Sequence, residues 1–151
     1  MSGPRDLLVI GYGNTLRRDD GVGPCVAEAV AALNLTDVRT LVCHQLTPEL
    51  AEAISQADAV IFVDADAKST GEVELHEMEA NDASQILAHA TDPRSLLALA
   101  KSAFGRGPKA WSLAIPAEDL GFGDGLSPRA EAGFKAALGK IKSLINELQA
   151  G

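Results

Sequence analysis

The chain has 151 residues, 46% of them hydrophobic and 23% charged, and a formal net charge of −8 at pH 7. Those figures suit one globular domain over residues 1–151, long enough to bury most of a layered core. The acidic balance excludes nonspecific binding to nucleic acid or to an anionic membrane, both of which need a basic face.

The two cysteines, Cys25 and Cys43, form no Cys-x-x-Cys pair. Zinc-finger and thioredoxin readings therefore fall away, and isolated thiols point to a reducing cytoplasm. Residues 1–6 carry no apolar signal-peptide region, and no apolar run approaches membrane-spanning length. The expectation is a soluble cytoplasmic protein.

In chain order, Leu7-Leu8-Val9-Ile10 reads as a buried strand over about residues 6–11. A glycine-rich loop follows, then a helix over about 21–33 that is rich in Ala and Val. Residues 38–43 read as a second strand. Thr47 as N-cap and Pro48 at the first helical position predict a second helix. The continuous apolar run 59–63 suits a fully buried parallel strand and ends in Asp64-Ala65-Asp66. Residues 71–79 alternate apolar and polar, as an edge strand with one wet, acidic face does. Residues 82–92 read as loop with a short helical turn, 93–104 as helix, and 105–108 as turn. A strand over 110–115 and a glycine-rich loop over 116–125 come next. Ser127, as a cap, and Pro128 open a last helix that runs to about residue 148. Alternating strands and helices imply an α/β sandwich around a mostly parallel sheet, with ligands outside the carboxyl ends of the strands.

The first loop, Gly11-Tyr12-Gly13-Asn14-Thr15-Leu16-Arg17-Arg18-Asp19-Asp20-Gly21-Val22-Gly23, is where chemistry is concentrated. It is not a dinucleotide fingerprint, because Leu16 stands where the third glycine belongs. Phosphate loops use backbone N–H groups and the positive end of a helix. Asp19 and Asp20 would repel phosphate and suit a cation instead. The plainer role for Asp20 is to cap the following helix. Strands one and three form the natural central pair of such a sheet, so Asp64 should meet the acidic loop at one rim. Of the three histidines, His76 sits in the edge-strand pattern, His44 closes strand two, and His89 lies in a loop without core periodicity. His89 is the best imidazole candidate on that ground.

Other chemistries lack their residues. There is no Gly-x-Ser-x-Gly elbow, no His-Glu-x-x-His, and no motif around either thiol. An aspartyl-type pair of Asp20 and Asp64 is conceivable, but it must share a proton, and a glycine-rich loop does not obviously supply the desolvation for that. The loop from His44 to Glu49 should border the same crevice. Its short polar residues suit contact with an extended peptide.

On these residues the chain resembles the hydrogenase maturation endopeptidases. The matching elements are Gly11-x-Gly13-Asn14-x-Leu16-x-x-Asp19-Asp20-Gly21-x-Gly23, then residues 45–50 (Gln-Leu-Thr-Pro-Glu-Leu), Phe62-Val63-Asp64-Ala65, His89-Ala90-Thr91-x-Pro93 and Leu126-Ser127. The resemblance implies a three-layer αβα sandwich with a twisted, mostly parallel five-stranded sheet, one strand antiparallel. It implies an endopeptidase that removes a C-terminal extension from the large-subunit precursor of a nickel–iron hydrogenase after nickel insertion. Metal ligation and catalysis fall by motif on Asp20, Asp64 and His89, with Asp20 where many members carry Glu. Substrate contacts fall on Gly13, Asn14, His44, Gln45 and Thr47. Nickel would arrive with the substrate, and zinc or cadmium would be stand-ins in crystals. The expected partner is the precursor alone, with no nucleic acid and no membrane, and the expected state is a monomer. Two rivals are a non-catalytic metal-sensing chaperone of the large subunit and an unrelated nucleotide-binding α/β protein, which the acidic loop disfavours.

Overall fold

The apolar run at residues 7–10 becomes the middle of the molecule. A computed structural model describes residues 6–69, 71–81 and 92–150. Its strands are β1 (Leu7–Tyr12), β2 (Val38–Cys43), β3 (Ala59–Asp66), β4 (Glu74–Met78) and β5 (Lys109–Pro116). Its helices are α1 (Val22–Ala32), α2 (Leu50–Gln56), α3 (Pro93–Phe104) and α4 (Pro128–Ala150), and a 3₁₀ turn at Arg18–Gly21 leads into α1. The described strands form one five-stranded sheet in the order β2-β1-β3-β5-β4. β2, β1, β3 and β5 run parallel, and β4 pairs antiparallel with β5. This is the architecture that the resemblance implied.

Alternation along the strands makes two cores. Leu7, Val9, Ile61 and Val63 pack on one face with Val22, Val26, Val30 of α1 and Ile141, Ile145 of α4. Leu8, Ile10, Val60 and Phe62 pack on the other with Ile54 of α2 and Leu96, Leu97 of α3. β1 and β3 are apolar on both sides because both sides are covered, which is why their sequences are continuous runs and do not alternate.

Several boundaries differ from the sequence reading. Thr47 does not cap α2, which begins at Leu50 without a side-chain cap. Leu46, only 1% exposed, is pinned in the core, and the chain makes one tight turn before the helix. In that turn the Thr47 and Pro48 carbonyls accept from the Leu50 and Ala51 N–H groups at 3.1 Å. β3 continues through Asp66, so Asp64 lies in the strand and not after it. The edge strand is shorter than 71–79. Its alternation fails at Glu77-Met78, and Met78 packs on the face opposite Leu75. α3 starts as its sequence predicts, with Asp92 accepting from the Arg94 N–H at 2.9 Å and Pro93 in the first turn, and it ends on Gly105 in the left-handed conformation. The loop predicted over 82–92 lies, up to residue 91, outside the described residues.

Candidate active site

The site grows from the register of the parallel strands. Tyr12 is level with Cys43 on β2, and Gly11 is level with Val63 on β3, so the next step brings Tyr12 beside Asp64. Leu8, Ile10 and Tyr12 share one face of β1, as Val60, Phe62 and Asp64 share one face of β3. Cys43, Tyr12 and Asp64 therefore form a row across three strands at the carboxyl rim. The Tyr12 hydroxyl donates to Asp64 Oδ2 at 3.2 Å.

Two glycines let the acidic loop fold against that row. Gly13 has φ +146°, and a Cβ there would run into the Asp20 carbonyl. Its N–H donates to the Cys43 carbonyl at 3.1 Å. A Cβ on Gly23 would lie 2.5 Å from the Val63 carbonyl oxygen and 2.7 Å from that of Tyr12, so only glycine lets α1 start against the ends of β1 and β3. The loop then closes on itself. Asp20 Oδ2 accepts from the Asn14 N–H at 2.7 Å, and Asn14 Oδ1 accepts from the Leu16 N–H at 2.9 Å. Asp20 is thus no helix cap: α1 is preceded by Gly21, without a side-chain cap.

Asp20 and Asp64 come close enough for their charges to interact. Burial pushes the Asp64 carboxyl up to about 6, and the charges of Asp20 and Asp66 push the same way. The Tyr12 hydroxyl and the Ala65 N–H oppose this. The site thus has the desolvation that the glycine-rich loop was not expected to supply. Tyr12 is raised by burial, by the Asp64 charge and by its hydrogen bond to Asp64, with smaller contributions from Asp92 and Cys43, so its phenol stays protonated. The influence of Asp92 sets the start of α3 near the same rim.

Asp19 does something different from its neighbour. It is fully buried and receives four hydrogen bonds: from the Glu118, Asp119 and Ser127 N–H groups at 2.8, 2.9 and 2.7 Å, and from the Ser127 hydroxyl at 2.7 Å. Burial raises its carboxyl, but these bonds outweigh that and lower it below its ordinary value. Ser127 Oγ also accepts from the Ala130 N–H at 3.2 Å, so one hydroxyl caps α4, as its sequence predicts, and seals Asp19. Around this clamp the loop after β1 is laced to the loop after β5. The Gly123 N–H donates to Leu16 O, the Arg18 N–H to Gly123 O, Arg17 Nε to Leu120 O and Arg18 Nη1 to Asp124 O. Leu16 and Phe122 stand out from this pair of loops, 65% and 82% exposed.

The other candidates separate. His89 lies outside the described residues. Among the described residues no group of three or more His, Cys, Asp or Glu side chains is arranged to hold a metal ion. His76 is exposed on β4, 3.4 Å from Glu74 Oε2, away from the rim. His44 and Gln45 are exposed and Thr47 half-buried, with the buried Leu46 anchoring the segment between them. Asp66 Oδ1 accepts from the Lys68 N–H at 2.9 Å and its carbonyl accepts from Ala117, which puts it at the lip, as the last residue of β3. Reading the sequence missed Tyr12 and the separate task of Asp19. The available signals were a hydroxyl that interrupts the apolar face of β1, and a Ser127 that matched a motif without a stated partner.

No protein-family model matches the chain, and no curated protein matches it. Solved structures do. The hydrogenase maturating endopeptidase HybD from E. coli superposes with a TM-score of 0.70 at 24% identity, over 93% of this chain and 92% of that one. The [NiFe] hydrogenase maturation protease HybD from Thermococcus kodakarensis gives 0.72 at 21% identity, over 92% and 98%. An endopeptidase from Escherichia coli gives 0.70 at 25% identity, over 93% and 92%. The chain shares the fold of the hydrogenase maturation endopeptidases along more than nine-tenths of its length.

Proposed function

We propose that the chain is an endopeptidase of nickel–iron hydrogenase maturation. It removes a C-terminal extension from the large-subunit precursor after nickel insertion. The observation that carries the reading is the pairing of Asp20 and Asp64 at the carboxyl rim, within a fold shared with proteins of that activity.

Two carboxylates and an imidazole are hard-to-borderline donors that leave positions open on a divalent metal. Asp20 and Asp64, each with Oδ2 held by a hydrogen bond, fit that donor chemistry, and His89 is the proposed third donor. Nickel is part of the substrate here. The precursor supplies it already bound, and the three donors test for its presence before cleavage. Zinc or cadmium would occupy the same donors in its absence. An ionised carboxylate at this rim can also take a proton from the attacking water.

Gly13 and Asn14 line the loop beside Asp20. His44, Gln45 and Thr47 present polar groups for an extended peptide beside β2. Exchange of residues 44–49 for the loop of a protease with another precursor should redirect the choice of precursor. A chimera that folds and keeps its original substrate would move selectivity to residues 121–125, where Phe122 is exposed. The working form is a cytoplasmic monomer. No helix among the described residues is long and apolar enough to cross a membrane.

The deciding experiment incubates the purified chain with nickel-loaded and nickel-free precursor and reads the precursor mass. Loss of a C-terminal peptide only from the loaded form supports the reading. Binding without mass loss would make the chain a metal-sensing chaperone.

A further inference from the structure

We infer that Tyr12 is a positioning residue for Asp64: its hydroxyl holds the carboxylate by Oδ2 and so sets the direction in which it meets the ligand. This rests on the proposed role of Asp64 as a metal-contacting carboxylate.

The argument begins with strand register. Leu8 and Ile10 precede Tyr12 on its face of β1, and Val60 and Phe62 precede Asp64 on its face of β3. Each strand is apolar until it reaches the rim, and each becomes polar at the same level. The ring of Tyr12 packs on the core of that face, so phenylalanine would satisfy the packing. What phenylalanine would lack is the O–H that reaches Asp64 Oδ2 at 3.2 Å.

An aspartate at a strand end has several staggered rotamers open to it. Asp20 is held by a backbone donor, the Asn14 N–H, at 2.7 Å. Asp64 is met by the Ala65 N–H, and among the described residues the Tyr12 hydroxyl is the side-chain donor that it receives. The two carboxylates are therefore held alike, each through Oδ2, by groups from β1 and the loop that follows it. A phenol suits this task because it donates a proton while its rigid ring, anchored in the core, sets the direction. Hydrogen-bond partners that orient a ligating carboxylate typically change metal affinity or activity by about 10–100-fold when removed.

The test is Tyr12→Phe, which keeps the ring. Four quantities are compared with the wild type: thermal unfolding, affinity for Cd²⁺ by calorimetry without substrate, and kcat and KM on nickel-loaded precursor. The expected result is an unchanged melting profile, Cd²⁺ binding weakened roughly tenfold, and a fall in kcat. In an Asp64→Asn background, Tyr12→Phe should have no further effect on Cd²⁺ affinity. Cd²⁺ affinity within about twofold of wild type would overturn the assignment. Should the wild type take up no Cd²⁺, a crystal structure of Tyr12→Phe decides: an Asp64 carboxylate in more than one rotamer supports it, and an unmoved one overturns it. Failure of the wild type to cut the precursor would remove the protease reading while the Cd²⁺ and crystallographic results still judge Tyr12.

Discussion

Asp19 and Asp20 are adjacent, and the 3₁₀ turn that carries them sends them to two different regions. On one side Asp19 is sealed under the loop after β5, with four donors and no exposure. On the other, Asp20 joins Asp64 and Tyr12 at the rim, where burial raises Asp64 and the charge of Asp20 adds to it. The first region saturates a charge with hydrogen bonds, and its carboxyl is lowered. The second leaves its charges short of donors, and Asp64 is raised. Burial is common to both, so burial alone does not separate a structural carboxylate from a reactive one. The donor count does.

The largest expected effect belongs to the rim. Asp64→Asn, or Asp20→Asn, should slow precursor processing by about 10²–10⁴-fold without lowering the melting temperature, as read by mass spectrometry and circular dichroism. A variant that unfolds as it loses activity would make the rim structural and erase the contrast with Asp19.

Asp19→Asn should do the reverse. It places an amide N–H₂ among four donors and costs about 2–4 kcal/mol, which for a chain of this size is roughly 5–15 °C in melting temperature. Activity should fall only as far as the loop loosens. An unchanged melt would mean that the clamp holds nothing.

The two regions also respond oppositely to pH. The Asp19 contribution is present above its ordinary value of 3.8 and disappears as pH falls through its lower folded value. Asp64 works the other way. Its folded carboxyl is raised, so its protonated form is compatible with the fold below 3.8, and stability is lost as pH rises from there to about 6. Urea melts of the wild type and Asp64→Asn should therefore diverge across that window, with the variant gaining on the order of 1–3 kcal/mol above it. Parallel curves would show that Asp64 titrates as an ordinary surface carboxylate.

The smallest effect tests the edge of the site. Asp66→Asn keeps an oxygen to accept from the Lys68 N–H and stands at the lip, so processing should change by less than about twofold. A loss equal to that of Asp64→Asn would shift the site two residues along β3.

Much of this was legible in the chain. The apolar runs of β1 and β3 announced strands covered on both sides, and the 93–104 helix carried its Asp92-Pro93 start and Gly105 end in plain sight. The meeting of Asp20 with Asp64 follows from the doubly wound order alone. The fate of Asp19 was not legible, because its partners are backbone N–H groups, and any residue from 117 to 127 could have supplied them. Tyr12 was hidden by its ring, which reads as one more core residue until the register places its hydroxyl beside Asp64. The start of α2 was misread because the burial of Leu46 overrode local capping preference.

The hydrogen bonds that seal Asp19 span 99, 100 and 108 residues of sequence. Long loops of that kind close late, since their entropy must be lost before any contact is gained. A chain emerging from the ribosome can pair β1 with β2 and β3 while the acidic loop still lacks its second half. That loop acquires its final form only once Ser127 is available to it. The geometry that would admit a precursor is therefore among the last things the polypeptide makes, and a nascent or truncated copy has its central strands before it has its finished acidic loop.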